Sequence, residues 1–266
     1  MRDLNRAHDD DERAGAPRAG ARWWWWRRAV AAALAVAYVV LWAGGAGHYL
    51  FLGAVAAEQN WLASAFLAVA GAIVLLTTTS RGELMCLVAV AAFGLLVELC
   101  GVMYGVPFGR YAYTGVLRPA LFGVPVVMAC AWMTLVAYVR QTLPGASLPP
   151  WAGALAAAAW MTAIDLVIDP LAANQLGYWR WVERDGNYYG IPLSNFAGWF
   201  VASLFVFSLL QRERTWRANV WHRVTGASIV LFFTLIALSF QLWAAALVGL
   251  ALCALDVSLY ARRRRS

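Results

Sequence analysis

The sequence predicts an all-α, polytopic transmembrane helix bundle of about eight spans with both termini cytoplasmic, on three observations. Of 266 residues, 62% are hydrophobic and 13% charged, which leaves more apolar surface than a water-soluble domain can cover. The apolar residues gather in runs of roughly 17 to 25, the length that crosses a bilayer as a helix. Arginine-rich and arginine-poor connections alternate along the chain, which assigns them to opposite membrane faces.

Residues 1–21 hold five acidic and four basic side chains among Gly, Ala and Pro, too little apolar content to pack, and are expected to be disordered. "RWWWWRR", Arg22 to Arg28, sets tryptophans between arginines, the composition of a membrane-interface anchor. No small-residue cleavage site follows a short apolar core, so the first run is expected to stay as a helix. Spans are expected at about 29–46, 61–79, 84–104, 120–139, 151–169, 195–211, 224–240 and 242–260. The first can extend to about residue 56, and the last two form a hairpin around Gln241. Together they make one membrane domain, 22–260, followed by a basic tail, 261–266.

The inner segments hold the 22–28 cluster, Arg81, Arg140, Arg212, Arg214, Arg217, Arg223 and "RRRR", Arg262 to Arg265. The outer loops hold Arg110, Arg118, Arg180 and Arg184, the last two offset by Glu183 and Asp185. Two unusual segments then share the outer side: "YGVPFGRYAYTG", residues 104–115, and "IDPLAANQLGYWRWVERDGNYYGIPLSNFAGWF", residues 168–200. The second interrupts a chain of Ala, Leu and Val with rings and turn formers, so it reads as an ordered loop with a task.

Several chemistries are disfavoured. Cys86, Cys100, Cys130 and Cys253 stand singly in apolar runs, and His8, His48 and His222 are far apart, so neither a disulfide framework nor a metal site is expected. All 21 basic residues are Arg, which we read as the mark of a GC-rich genome rather than of nucleic-acid binding. The net charge of +7 suits anionic lipid headgroups.

Ionisable groups inside an apolar helix cost about 2.5 to 3.5 kcal/mol each on insertion scales. Three stand out: Glu98 in "LLVELCG", and Asp165 and Asp169 in "IDLVIDP", four apart and so on one helix face. If their helices face each other, three carboxyls converge beneath the aromatic loops. Like charges in a low-dielectric pocket cannot all ionise, so at least one retains a proton and can act as a general acid. The structural alternative is pairing with Arg110 or Arg180, or capping of loop amides. Asp256 is assigned to the basic tail, Glu83 and Glu58 to the interface, and Ser194 or Asn195 to the cap of the sixth span. The rings over the acids suit a flat, apolar, electron-rich ligand and any carbocation formed from it.

The run "VELCGVMYGVPFGRYAYTGVLRP", then "GVPVVMACAWM", then "WMTAIDLVIDPLAANQLGYWRWVERDGNYYGIPLSNFAGWF" resembles the integral-membrane carotenoid biosynthesis family that includes CruF-type carotenoid 1,2-hydratases and bisanhydrobacterioruberin hydratases. The likeness is strong over roughly 84–211, carried by E-x5-YG-x-P-F-G-x-Y-x-Y, D-x3-DP and Y-x-GIP-x-SNF-x-GW. It implies hydration of the terminal double bond of an acyclic carotenoid end group, of lycopene, gamma-carotene or C50 type, in the cell membrane and with no organic cofactor. It also implies a carotenoid substrate within the bilayer and lipids or other enzymes of the pathway as partners. Carried over by motif, Glu98, Asp165 and Asp169 are the candidate acid or water-activating groups, preferred in the order Asp165, Glu98, Asp169. Tyr104, Arg110, Tyr111, Tyr113, Trp179, Trp181, Tyr188 and Asn195 are the candidate pocket residues.

Carotenoid cyclisation or elongation would use the same carbocation logic. An elongase, however, should carry denser aspartates for magnesium diphosphate. A small-molecule transporter should show an internal repeat, and none is visible. A scaffold would not need buried acids.

If the tryptophan cluster is an anchor, Trp26→Ala lowers the amount of membrane-inserted protein more than turnover per molecule; quantitative blotting beside pigment analysis separates the two.

Overall fold

The computed structural model describes residues 19–53, 60–143, 148–184, 186–211 and 216–263. Residues 1–18 of the expected disordered start, with His8, and Glu58, Asp185, Arg212, Arg214 and residues 264–266 of the basic tail lie outside the described residues, whereas residues 19–21, expected to be disordered, are helical. Eight helices are described: α1 Ala19–Phe51, α2 Trp61–Thr77, α3 Arg81–Tyr104, α4 Val127–Thr142, α5 Pro150–Asn174, α6 Leu193–Leu210, α7 Val220–Ser239 and α8 Trp243–Arg263. Six of them (α1, α3 and α5 to α8) are long and apolar enough to cross a membrane. At 17 residues, α2 is a shorter apolar helix.

The fourth span departs from expectation. Residues 120–126 do not begin it; Ala120–Leu121 (β2) and Val124–Pro125 (β3) make a small antiparallel hairpin. The turn Phe122–Gly123 has positive φ at both residues. The resulting α4 is only 16 residues long. It is also the most enclosed helix, packed by α2, α3, α5 and α7 and buried at every position from Trp132 to Val139. Irregular backbone at that level is tolerated where protein surrounds it.

The fifth span also runs on. Pro170 lies inside α5, although the residue before a proline is usually a helix boundary. A proline has no N–H for the carbonyl four residues back, here Leu166, and the Tyr188 hydroxyl donates to that oxygen instead at 2.9 Å. Asp169 is therefore a residue of the helix wall rather than a terminal cap.

One end of the bundle holds the described residues 78–80, 143, 148–149, 211 and 216–219. Arg27 donates to Leu76 O, Asn219 to Thr77 O, Gln141 to Arg217 O and Arg263 to Thr142 O. Arg27, on α1, and Arg263, on α8, thus lie at the same end of the bundle. Two acids lie buried near this end, against expectation. Glu83 faces His222 Nδ1 at 3.4 Å, and the partner of Asp256 is Arg223 at 2.6 Å rather than the tail. A carboxylate with no water finds the nearest cation or donor, and packing brings Arg223 closer than the tail.

At the other end both aromatic loops meet. Tyr111–Tyr113 (β1) and Trp179–Trp181 (β4) pair antiparallel in the register Tyr111↔Trp181, Ala112↔Arg180 and Tyr113↔Trp179. The alternation of a strand places the four rings on one face and Ala112 with Arg180 on the other, exposed face. Gly105, in the left-handed region at φ 73°, closes α3 and turns the chain into the first of these loops.

Close helix approach depends on Gly94: a Cβ there would press into the side chain of Trp132. Gly94→Ala is expected to lower stability by about 1 to 3 kcal/mol, whereas Gly44→Ala, with nothing within 4 Å, leaves the melting temperature in detergent unchanged or raised.

Candidate active site

The site is built on two helical hairpins, α3–α4 and α5–α6, whose loops are tied together by the β1–β4 pair. Glu98, on α3, is 4% exposed and accepts hydrogen bonds from three side chains. The Tyr111 hydroxyl donates at 2.5 Å and the Tyr113 hydroxyl at 2.8 Å, both to Oε2, and Trp132 Nε1 donates to Oε1 at 3.2 Å. Across the site, Asp165 and Asp169 share one turn of α5, both buried. Asn195 Nδ2 donates to both, at 2.7 Å to Asp165 and 3.3 Å to Asp169. Trp179 Nε1 donates to Asp169 at 2.7 Å. The donors are phenols, indoles and an amide; neither Arg110 nor Arg180 takes the place of an ion-pair partner.

Between Glu98 and Asp169 lies a chamber of about 270 Å3, its open mouth included, walled by Phe108, Tyr111, Tyr113, Trp181 and Asn195. A larger apolar cleft of about 640 Å3, also counted with its mouth, runs beside it between α2, α4, α5 and α7, with Asp165 on its wall. Met128, Trp179 and Trp199 line both spaces. The Trp199 ring stacks on Trp132 with centroids 4.5 Å apart and planes 10° from parallel. One indole thus borders both spaces while its stacked neighbour holds Glu98.

Of the residues singled out from sequence, Glu98, Asp165, Asp169, Tyr111, Tyr113, Trp179, Trp181 and Asn195 come together. Tyr104 is 68% exposed and Arg110 is also exposed; both lie away from the chamber. Tyr188 sits behind α5, on the carbonyl freed by Pro170. Asn195 does not cap α6, because its amide turns to the acids, and Ser194 Oγ donates to Phe108 O across the loops. Phe108, one of the rings of the first aromatic loop, lines the site as well, and Met128, Trp132 and Trp199 complete it without having been singled out. The available signal was weak: a buried indole needs an acceptor, and Trp132 had an acid within reach of its helix.

The order of these acids, rings and loops along the chain is also that of a known family. A family model described as "Carotenoid biosynthesis protein" matches residues 59–256, well over half of the chain. The protein belongs to the carotenoid biosynthesis protein family. Both acid-bearing hairpins fall inside the matched region. A curated relative, bisanhydrobacterioruberin hydratase of Haloarcula japonica, is 30% identical over 123 residues, 44% of this chain and 41% of that protein. This family member thus aligns with less than half the length of that relative. No solved structure matches it.

Burial and the neighbouring Glu98 push the Tyr111 and Tyr113 hydroxyls above the ordinary tyrosine range. Both stay neutral donors where an ordinary tyrosine ionises. They are protonated in folded and unfolded chains alike below about pH 10, and above it unfolding is favoured because only the unfolded phenols release protons. The Tyr111→Phe, Tyr113→Phe double variant is therefore expected to show the same phenolate absorbance as the parent between about pH 9 and 11; a smaller rise in the variant would mean that the pair ionises.

Proposed function

We propose that this family member is a hydratase, adding water to the terminal C1=C2 double bond of an acyclic carotenoid end group. The observation that supports it is the opposition of the Asp165–Asn195–Asp169 group to Glu98 across an aromatic chamber that adjoins an apolar cleft. A polyene needs the cleft, its protonation needs an acid, and the cation needs rings and a countercharge.

In this reading the chain's end lies at the passage between Met128, Trp179 and Trp199. Asp165 and Asp169 share the two N–H donors of one amide group, and two like-charged carboxyls so placed are suited to holding a shared proton. A carboxylate only accepts hydrogen bonds, so Glu98, with three donors on it, suits the ionised countercharge. The acid group gives its proton to C2, and the electron pair of the double bond forms the new C–H bond. The tertiary cation at C1 is stabilised by the faces of Trp179 and Trp199 and by Glu98. Water adds at C1, and its surplus proton passes to a carboxylate. Alkene and water give a tertiary alcohol with no change of oxidation state.

The test is expression in a bacterium that accumulates lycopene, followed by chromatography and mass spectrometry of the pigments. Products heavier by one or two waters are expected; an isomer of unchanged mass and altered absorption would favour cyclisation. If lycopene is unchanged, gamma-carotene and C50 precursors are the next substrates to supply. Asp165→Asn, which keeps the size and the hydrogen-bond site, is expected to insert normally and to slow hydration by about 100-fold or more. Undiminished product from that variant would remove Asp165 from the chemistry.

A further inference from the structure

The cleft is too short for a whole carotenoid. It begins at the shared wall of Met128, Trp179 and Trp199, and its lining reaches the buried Leu135, Met161, Ile229 and Phe233 at the middle of their helices. Its partly buried members Leu67, Ala131 and Ile168 mark the side on which it opens between α2, α4 and α5. Along α4 the lining extends from Met128 to Leu135, and along α5 from Ile168 to Met161, seven residues in each case. At about 1.5 Å per residue that is roughly 10 Å. An extended C40 polyene is about as long as the hydrocarbon core is thick, ~30 Å, so about a third of it fits. Asp165 is the one carboxyl on the cleft wall, Tyr178 and Trp179 stand at its loop end, and Leu135, Met161, Ile229 and Phe233 at the inner end are apolar, with no polar group there to grip a distal functional group.

We infer that the site recognises only the end of its substrate: an acyclic isoprenoid terminus of about two isoprene units, with the rest of the molecule outside the protein in lipid. This rests on the hydratase reading and extends it in two ways. Total chain length is not selected, so shorter acyclic isoprenoids with the same trisubstituted terminal alkene are substrates. A molecule with two such ends is hydrated in two separate encounters, because the second end is out of reach while the first occupies the cleft. At each end the balance is unchanged: one alkene and one water become one tertiary alcohol.

The purified full chain in lipid vesicles is supplied separately with lycopene, with the acyclic C30 isoprenoid squalene and with an acyclic C20 isoprenoid alcohol, and gain of water is followed by mass spectrometry. Hydration of the C30 and C20 compounds with kcat/KM within about tenfold of lycopene is the expected result. The singly hydrated C40 product should accumulate free before the doubly hydrated one. Hydration of lycopene together with a loss of 100-fold or more on both shorter compounds would overturn end-only recognition and leave the hydratase reading standing. A doubly hydrated product that forms without free intermediate would overturn the separate encounters. No hydration of any acyclic compound would overturn the hydratase reading itself, and the inference with it. Ile229→Trp, which fills the inner end of the cleft, should lower kcat/KM for C40 and C20 substrates by the same factor within about threefold. A loss confined to the longer substrate would show that the protein senses more than the end.

Discussion

Carboxyl groups placed beyond the reach of water have to be met by donors from the protein, and the half of this bundle beneath the aromatic loops is arranged around that need. An unpaired buried carboxylate costs several kcal/mol. The bundle answers with phenol and indole donors on Glu98, an indole on Asp169 and a shared amide on Asp165 and Asp169. Using Tyr and Trp rather than Arg has a second effect. Each donor brings an apolar ring, so satisfying the acids also builds a wall that a hydrocarbon can touch.

The β1–β4 pair sets the geometry. Because side chains alternate along a strand, a slip of either strand by one residue would turn its two rings to the exposed face and present Ala112 or Arg180 to the acids. Behind the pair, Gly94 lets α4 approach α3 closely enough for Trp132 to reach Glu98. Pro170 and Tyr188 maintain α5 through the turn that carries Asp169. Catalytic-looking and merely architectural residues in the same loops are thereby separated: Tyr113 and Trp179 point at carboxyls, whereas Tyr188 serves a backbone carbonyl.

Much of this was legible in the sequence because lipid imposes simple rules. Apolar run length locates helices, and a carboxyl within such a run is conspicuous; Glu98, Asp165 and Asp169 stood out on that ground alone. Arginine spacing placed both loops on one side, where the strands indeed pair. Pairings between distant segments were not legible. Nothing local in "RPALFGVPVV" distinguishes a short hairpin from the start of a span, since Leu, Phe and Val suit either. Trp132 and Trp199 look like ordinary members of apolar helices until α4 and α6 are brought together. The same holds for Glu83 with His222 and Asp256 with Arg223, whose partners come from other helices. Proximity in sequence to arginines suggested an interfacial role that packing replaced.

The donors on Glu98 all follow it in the chain, at 13, 15 and 34 residues, within the loop and the next helix. Those on Asp165 and Asp169 follow in the same way, Trp179 at 10 residues after Asp169 and Asn195 at 30 residues after Asp165. Each helical hairpin therefore carries the partners of its own acids and can leave the aqueous translocation channel with those charges already covered. The β1–β4 ladder, the Ser194–Phe108 hydrogen bond and the Trp132–Trp199 stack are among the contacts that require both hairpins at once. Biogenesis of the chamber then becomes the lateral docking of two self-sufficient units already resident in lipid, a step that needs no exposed charge to cross the hydrocarbon.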